Sequence, residues 1–288
     1  MSARLALGTA QFGGVYGIAN QSGRVAQDEI GRILALARGH GLNTLDTAIA
    51  YGDSELALGQ AGVGAWNIVT KLPAMPPGCT DIVGWVQASL RGSLERLRIE
   101  RVHGLLLHRP AQLLGSEGKM LAQALTDVQD QGLVAKIGVS IYAPEELNQL
   151  MGIMPIGIVQ APMNILDSRM IDSGWADRLR ASGVELHVRS AFLQGLLLMD
   201  EWPAKFARWT DIRNMWMQWL QATGQTPVQA CLNYVFSIDQ VDQVVIGVDS
   251  EWQLREILAA PSDLLPAMPV WPRPLDPVLL NPARWNEL

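Results

Sequence analysis

Four polar side chains stand where apolar runs end. Asp46 follows Asn43-Thr44-Leu45, and Tyr51 comes five residues later, ahead of a glycine. Lys71 closes Trp66-Asn67-Ile68-Val69-Thr70, and His108 closes Val102-His103-Gly104-Leu105-Leu106-Leu107. A carboxylate, a phenol, an ammonium and an imidazole brought together can move a proton. A tyrosine with an ordinary pKa of about 10 is a poor acid near neutrality, but an adjacent ammonium favours the phenolate and lowers that value. On this reading Lys71 lowers the pKa of Tyr51, Asp46 keeps Lys71 charged where it is partly buried, and His108 hydrogen-bonds a carbonyl or alcohol. Each residue taken singly has a structural reading as well: a buried ion pair, a packed tyrosine, a histidine satisfied by backbone. Their arrival at three successive strand ends is what favours chemistry.

Such chemistry needs a frame that sets strand ends side by side. Short aliphatic runs at 4–10, 43–47, 66–71, 102–108, 135–140, 157–160, 184–189 and 243–247 alternate with stretches of helical periodicity at 27–39, 81–98, 118–131, 144–151, 174–182 and 250–259. Nearly all-apolar strands between amphipathic helices describe a parallel sheet covered by helices. Eight such units in 288 residues predict an α/β fold, the (β/α)8 TIM barrel, with its active site at the C-terminal strand ends. No Gly-x-Gly-x-x-Gly follows the first strand, which argues against a Rossmann site. One domain over 1–288 is expected, with 261–288 as a proline-rich extended tail packing over the barrel and bordering the substrate site. Phe206, Trp209, Ile212, Trp216 and Trp219 fall at three- and four-residue spacing and predict one buried helical face. By position, Phe12, Gly14, Tyr16 and the 202–219 region are expected to shape the substrate pocket.

Composition narrows the partners. A net charge of −6 with no basic run longer than two argues against a nucleic-acid binder and for a small-molecule ligand. No apolar run is long enough to span a bilayer and no secretory pattern opens the chain, so no membrane partner and a cytoplasmic location are expected. Cys79 and Cys231 lack Cys-x-x-Cys or histidine-rich surroundings, so neither a disulfide framework nor a metal site is expected.

The residues taken together resemble the aldo-keto reductase superfamily over nearly the whole chain. The resemblance is carried by Leu7-Gly8-Thr9-Ala10-Gln11-Phe12-Gly13-Gly14, by 45–55 (LDTAIAYGDSE), 68–71 (IVTK), 105–110 (LLLHRP), 136–140 (KIGVS), 159–164 (VQAPMN) and 244–256. It implies a (β/α)8 barrel that binds an extended nicotinamide dinucleotide without a Rossmann fold. Asp46, Tyr51, Lys71 and His108 match the family's catalytic tetrad. The implied reaction passes hydride to the carbonyl of an aldehyde, ketone or sugar, or the reverse, with Tyr51 as general acid.

For the cofactor, Ser140 and Gln160 match the residues that hydrogen-bond the carboxamide, and Asn164 is a weaker match nearby. Where many members have asparagine after that serine, this chain has Ile141. Arg189 takes the position of a tyrosine that stacks on the nicotinamide, and a guanidinium plane also stacks. Gly247, Asp249, Gln253, Arg255 and Glu256 match the adenosine side, with Ile257 in place of a usual asparagine. NADPH-using members place a cation just after the turn of strand eight, where this chain has Asp249, and Arg255 is the cation able to rescue a phosphate. Family frequency keeps NADP(H) ahead of NAD(H); the acid argues the other way. Two other readings remain open here. One is a cofactor-binding regulatory module of the same fold with little turnover. The other is a metal-dependent barrel hydrolase on His108 and Asp46, which lacks a ligand cluster.

Overall fold

The computed structural model describes residues 4–18, 20, 23–260 and 265–288. Eight strands close into a ring in chain order: β1 (Leu5–Gly8), β2 (Thr44–Asp46), β3 (Asn67–Leu72), β4 (Val102–Leu107), β5 (Val134–Ser140), β6 (Ile158–Pro162), β7 (Glu185–Arg189) and β8 (Gln243–Gly247). Every neighbouring pair is parallel, and β8 returns to β1 with Gly247 opposite Gly8. Each aliphatic run read as a strand is one. Parallel strands need crossovers longer than a turn, and helices supply them: α1 (Ala10–Gly13), α2 (Gln27–Gly39), α3 (Ser54–Ala61), α4 (Ile82–Leu97), α5 (Gly118–Asp130), α6 (Leu147–Leu150), α7 (Arg169–Asp172), α8 (Trp175–Ala181), α9 (Thr210–Thr223), α10 (Pro227–Phe236), α11 (Glu251–Ala259) and α12 (Pro277–Leu280).

The helix α2 shows why these segments fold as they do. Ile30, Ile33, Leu34 and Ala37 fall on one face and are buried, Asp28 and Glu29 occupy the first turn, and Arg38 the last. That charge order complements the helix dipole. Most buried side chains lie between helices and strands, while Val69, Leu106 and Ile158 form a separate cluster inside the ring. Backbone approaches closely there: a Cβ on Gly138 would lie 2.1 Å from the carbonyl oxygen of Ile158. At the N-terminal mouth Glu185 accepts from Lys136 Nζ at 2.6 Å and pairs with His187 Nε2 at 3.0 Å, tying β7 to β5 at the end where barrels place stability, not catalysis.

Three expectations change. The 202–236 segment forms a 3-10 stretch over Ala204–Trp209 and two helices, α9 and α10, so the aromatic stripe is shared by two elements. All five of its residues are nevertheless buried. The helix α10 begins with a capping box in which Thr226 Oγ1 accepts from Gln229 N–H and Gln229 Oε1 from Thr226 N–H, with Pro227 in the first turn.

The second change concerns the tail, of which 261–264 lie outside the described residues. From 265 it runs without regular structure and then forms α12 and a 3-10 turn over Pro282–Glu287. It is anchored by indoles: Trp271 Nε1 donates to Ile165 O at 2.9 Å, Trp219 Nε1 to Ala267 O at 2.8 Å, and Trp285 meets Phe206 edge-on at 4.8 Å. Its described residues therefore cover the loop after β6 and the 204–219 region. Third, α3 emerges from a stretch without clear helical periodicity. No described helix is long and apolar enough to cross a membrane.

Candidate active site

Asp46 ends β2, and Lys71 is the penultimate residue of β3. In β3 the backbone of Val69 pairs with Asp46, so Lys71 stands one pleat above it on the same face. Its Nζ donates to Asp46 Oδ1 at 2.6 Å and to Thr47 O at 2.9 Å, with Lys71 1% and Asp46 4% exposed. The other carboxylate oxygen, Oδ2, accepts from Gln160 Nε2 at 2.7 Å. The Lys71 ammonium lies 5.1 Å from the centre of the Tyr51 ring. His108 follows β4 and meets Tyr51 edge-on, with ring centres 5.9 Å apart. The four residues singled out by position thus converge.

Tyr51 sits on a loop whose course is tightly constrained. Its N–H donates to Ala48 O, and its own carbonyl accepts from Ser54 N–H, both at 3.0 Å. That carbonyl lies so close to Gly13 that a Cβ there would stand 1.6 Å from the oxygen. Gly52 follows at φ 54°, in the left-handed region, with its own missing Cβ 2.6 Å from Gly13 O. The glycine after the tyrosine is therefore a backbone requirement. Ser54 Oγ donates to Thr9 O at 2.8 Å and lies 3.1 Å from Thr47 Oγ1, which joins the exits of β1 and β2 beneath the loop.

Glu55 was not among the sequence-derived candidates, yet it anchors the same loop. It is 1% exposed; Thr70 Oγ1 donates to its Oε1 at 2.6 Å, Ser93 Oγ donates to the same oxygen, and Arg96 bonds its Oε2 through Nε at 2.9 Å and Nη2 at 2.7 Å. It fastens the start of α3 to β3, beside Lys71, and to α4. Its signal in the sequence was an acid one turn after Tyr51, the single charge in the octet Ser54–Ala61.

Electrostatics corrects one expectation. Burial, followed by the neighbouring Asp46 carboxylate, pushes the Tyr51 pKa well above that of an ordinary phenol. The cation that opposes this rise is Arg189, from β7, and not Lys71. Lys71 is itself shifted down by burial, against the pull of Asp46. Its positive charge is spent on a carboxylate at 2.6 Å. Burial, and next the Lys71 ammonium, lowers the His108 pKa from 6.5 to about 4, so at neutral pH His108 is an uncharged imidazole able to donate one hydrogen bond and accept another.

A cavity of about 460 Å³ opens from Asp46 and Tyr51, passes the exits of β1, β7 and β8, and reaches the first turns of α11. Of the expected cofactor contacts, Arg189, Gly247, Asp249, Gln253 and Glu256 lie on its wall, as do Tyr16 and Ile257. Arg189 Nη2 donates to Ile141 O at 3.1 Å, and its guanidinium covers the Tyr142 ring at 4.4 Å. Ser140 and Gln160 are register partners in β5 and β6, both buried behind the wall. Asn164 is committed elsewhere: its Oδ1 accepts from the N–H groups of Leu166 and Asp167, and its Nδ2 donates to Ser190 O.

Arg255 is likewise not on the wall, because its guanidinium bonds Glu251 one turn earlier and is 61% exposed. Of the residues expected to shape the pocket, Tyr16 does so and receives a hydrogen bond from Gln194 Nε2 at 3.3 Å. Phe12 is fully buried, and neither it, Gly14, the 202–219 region nor the described tail contributes to the wall. The loop after β7 does so instead, and Ser190 and Gln194 there hold positive φ without being glycine. Among the described residues no group of three or more His, Cys, Asp or Glu is arranged to hold a metal ion.

Comparison with known proteins gives concordant results. A model described as the Aldo/keto reductase family matches residues 4–269. An aldo-keto reductase of Mycolicibacterium vanbaalenii is 36% identical over 138 residues, which cover 44% of this chain and 45% of that one. The chain thus spans less than half the length of that curated relative. An L-galactose dehydrogenase of Arabidopsis thaliana is 24% identical over 89% of this chain and 83% of its own. Among solved structures, an aldo-keto reductase from Bacillus halodurans in its holo form superposes with a TM-score of 0.71 at 20% identity, covering 89% of this chain and 86% of that one.

Proposed function

The chain belongs to the aldo/keto reductase family of oxidoreductases, and from that premise we propose that it is an NAD(P)H-dependent reductase of a small aldehyde, ketone or sugar, able to run in reverse, with Tyr51 as general acid. The observation that carries this reading is the buried Lys71–Asp46 pair beneath Tyr51, with His108 at the ring edge and a cavity opening above.

The cavity supplies a test of fit for a nicotinamide dinucleotide. Its wall runs from Asp46 and Tyr51 to the first turns of α11 and carries neutral polar groups, among them Gln11, Ser190, Gln194 and Gln253, suited to ribose hydroxyls and a carboxamide. At Gly247 the backbone is bare, and the Gln11 amide lies where a Cβ would point. The residues present therefore fit such a group. Gly247, Gln253 and Glu256 would hold its far part, Arg189 and Ser190 its reactive end. When bound, the cofactor supplies the hydride.

The chain's own residues do the rest. Burial keeps the Tyr51 phenol protonated at neutral pH. A carbonyl oxygen gaining negative charge becomes far more basic than a phenolate, so the proton transfer runs downhill only as the reaction proceeds. His108, uncharged, donates to the same oxygen and orients it. Asp46 and Gln160 hold Lys71 in place, and Arg189 moderates the proton affinity of Tyr51. In the reverse direction Tyr51 must first lose its proton, and there the cations matter most. The name of the plant relative supports including sugars among the substrates. The test is a panel of aldehydes, ketones and aldoses with both reduced nicotinamides: wild type turns over at least one, and Tyr51→Phe lowers its kcat by about 10²-fold or more with unchanged circular dichroism. A Tyr51→Phe variant that reduces carbonyls at near wild-type rate removes Tyr51 from the role of acid.

A further inference from the structure

We infer that this protein takes NADH in preference to NADPH, and that Asp249 is the residue that sets the choice. The inference rests on the cofactor reading above and deepens it. If the reactive end of the dinucleotide lies at Tyr51, the adenosine end must lie at the other end of the cavity, between the exit of β8 and the first turns of α11. The wall there is made by Gly247, Asp249, Trp252, Gln253, Glu256 and Ile257. It offers two carboxylates and neither an ammonium nor a guanidinium.

Among the described residues no cation lines this end of the wall; Arg32, the guanidinium joined to the start of α11 through Glu29, is bonded to Glu29 and Asp28. Arg189 is the only lysine or arginine among the described wall residues, and it is bonded to Ile141 O and stacked on Tyr142 at the opposite, Tyr51 end. Arg255, nearest in sequence, bonds Glu251 away from the cavity. The residues outside the described set, 1–3, 19, 21–22 and 261–264, include neither lysine nor arginine. An adenosine 2′-phosphate placed here would bring about two negative charges beside carboxylates, with no partner to offset their loss of water.

Asp249 is well placed for the alternative. Its N–H donates to Gln253 Oε1 at 2.7 Å, and its Oδ1 accepts from Asn20 Nδ2 at 3.1 Å. Gln253 in turn donates its N–H to Ser250 Oγ at 3.2 Å, the cap of α11. The backbone of Asp249 is thus held by the first turn of α11 and its carboxylate by the first loop, and the carboxylate retains lone pairs for a further donor. A ribose bearing a free 2′-hydroxyl supplies that donor. A carboxylate in this relation to the ribose is the arrangement that selects NAD over NADP on other folds, for the same electrostatic reason.

The test is equilibrium binding, independent of turnover. Titrating NADH and NADPH into the protein and reading tryptophan fluorescence should give a Kd for NADH at least tenfold below that for NADPH. Asp249→Asn and Asp249→Ser should each bring the two constants to within about threefold, mainly by tightening NADPH. Arg255→Ala should leave the ratio unchanged. The assignment is overturned if wild type binds NADPH as tightly as NADH, if both Asp249 variants keep the wild-type ratio, or if Arg255→Ala weakens NADPH tenfold. Binding of both nucleotides with NADPH tighter removes only the role of Asp249 and leaves the cofactor reading in place. Binding of neither removes both.

Discussion

Removing Lys71 should destabilise the protein more than any exposed charge change. The ammonium is 1% exposed and bonded to Asp46 Oδ1 at 2.6 Å and to Thr47 O at 2.9 Å. Coulomb's law at an effective dielectric of about 20 gives ~6 kcal/mol of attraction at that separation, and desolvation of the two ions offsets much of it. Lys71→Met does not simply reverse that net value. It leaves Asp46, 4% exposed, with Gln160 Nε2 as its one remaining side-chain donor among the described residues, and an uncompensated buried carboxylate costs about 3–5 kcal/mol. Asp46→Asn in the same chain removes the stranded charge, so the double variant should recover at least ~2 kcal/mol of the loss. Urea unfolding followed by tryptophan fluorescence, with m unchanged across the set, measures each value. A Lys71→Met loss below about 1 kcal/mol, or a double variant no more stable than the single one, would refute the buried pair as the foundation of the site. The same variant should slow alcohol oxidation more than carbonyl reduction, because the Asp46 charge it leaves unpaired holds the Tyr51 proton more tightly, and only oxidation starts by taking that proton.

Other consequences are more local. His108 has a folded-state pKa of about 4 against 6.5 when exposed, so its contribution to stability is present above pH 6.5 and is lost as pH falls toward 4. The interval corresponds to ~3 kcal/mol; His108→Gln should flatten the acid limb of stability against pH by about that amount, and an unchanged limb would count against a buried neutral imidazole. Gly13→Ala places a Cβ on the Tyr51 carbonyl, so kcat should fall by about tenfold or more while nucleotide binding changes less, as a 1 Å displacement of a catalytic group predicts; equal losses in both would point to general unfolding instead. Glu55→Gln removes the buried carboxylate that accepts from Thr70, Ser93 and Arg96 and should lower stability by about 2–4 kcal/mol, with Tyr51-dependent rates falling alongside. A midpoint within error of wild type would show that Glu55 does not hold the loop.

The reach of sequence reasoning follows from the kind of interaction involved. Runs such as Val102–Leu107 are strands because a parallel barrel buries both faces of each strand, so the bare apolar run is the signal. Asp46, Lys71 and His108 stood out because a charge at the end of such a run has few reasons to be there other than pairing or chemistry. The helix α3 was missed because Glu55 lies on its buried side, which disturbs the apolar periodicity from which helices are read. Its partners Ser93 and Arg96 come from α4, some forty residues on.

The sign of the Tyr51 shift was out of reach for a related reason. It depends on burial depth and on Arg189, a residue of β7 distant in the chain, while Lys71, the visible candidate, is neutralised by Asp46. The pocket wall was likewise misassigned to the tryptophan-rich 202–219 region, whose stripe serves the core and the tail, whereas the loop after β7 lines the cavity through residues in left-handed backbone conformations. Asp249, by contrast, was legible at once, because an acid where a cation would be needed is a departure in charge that no packing detail can hide.

The most direct test follows the transferred hydrogen. With a carbonyl that wild type reduces and a reduced nicotinamide carrying deuterium at the transferring position, deuterium should appear at the carbinol carbon of the alcohol. The single-turnover rate should fall by about 10²-fold or more in Tyr51→Phe, with the nucleotide Kd unchanged. An alcohol without deuterium would contradict hydride transfer, and a Tyr51→Phe rate within a few-fold of wild type would contradict the phenol as proton donor.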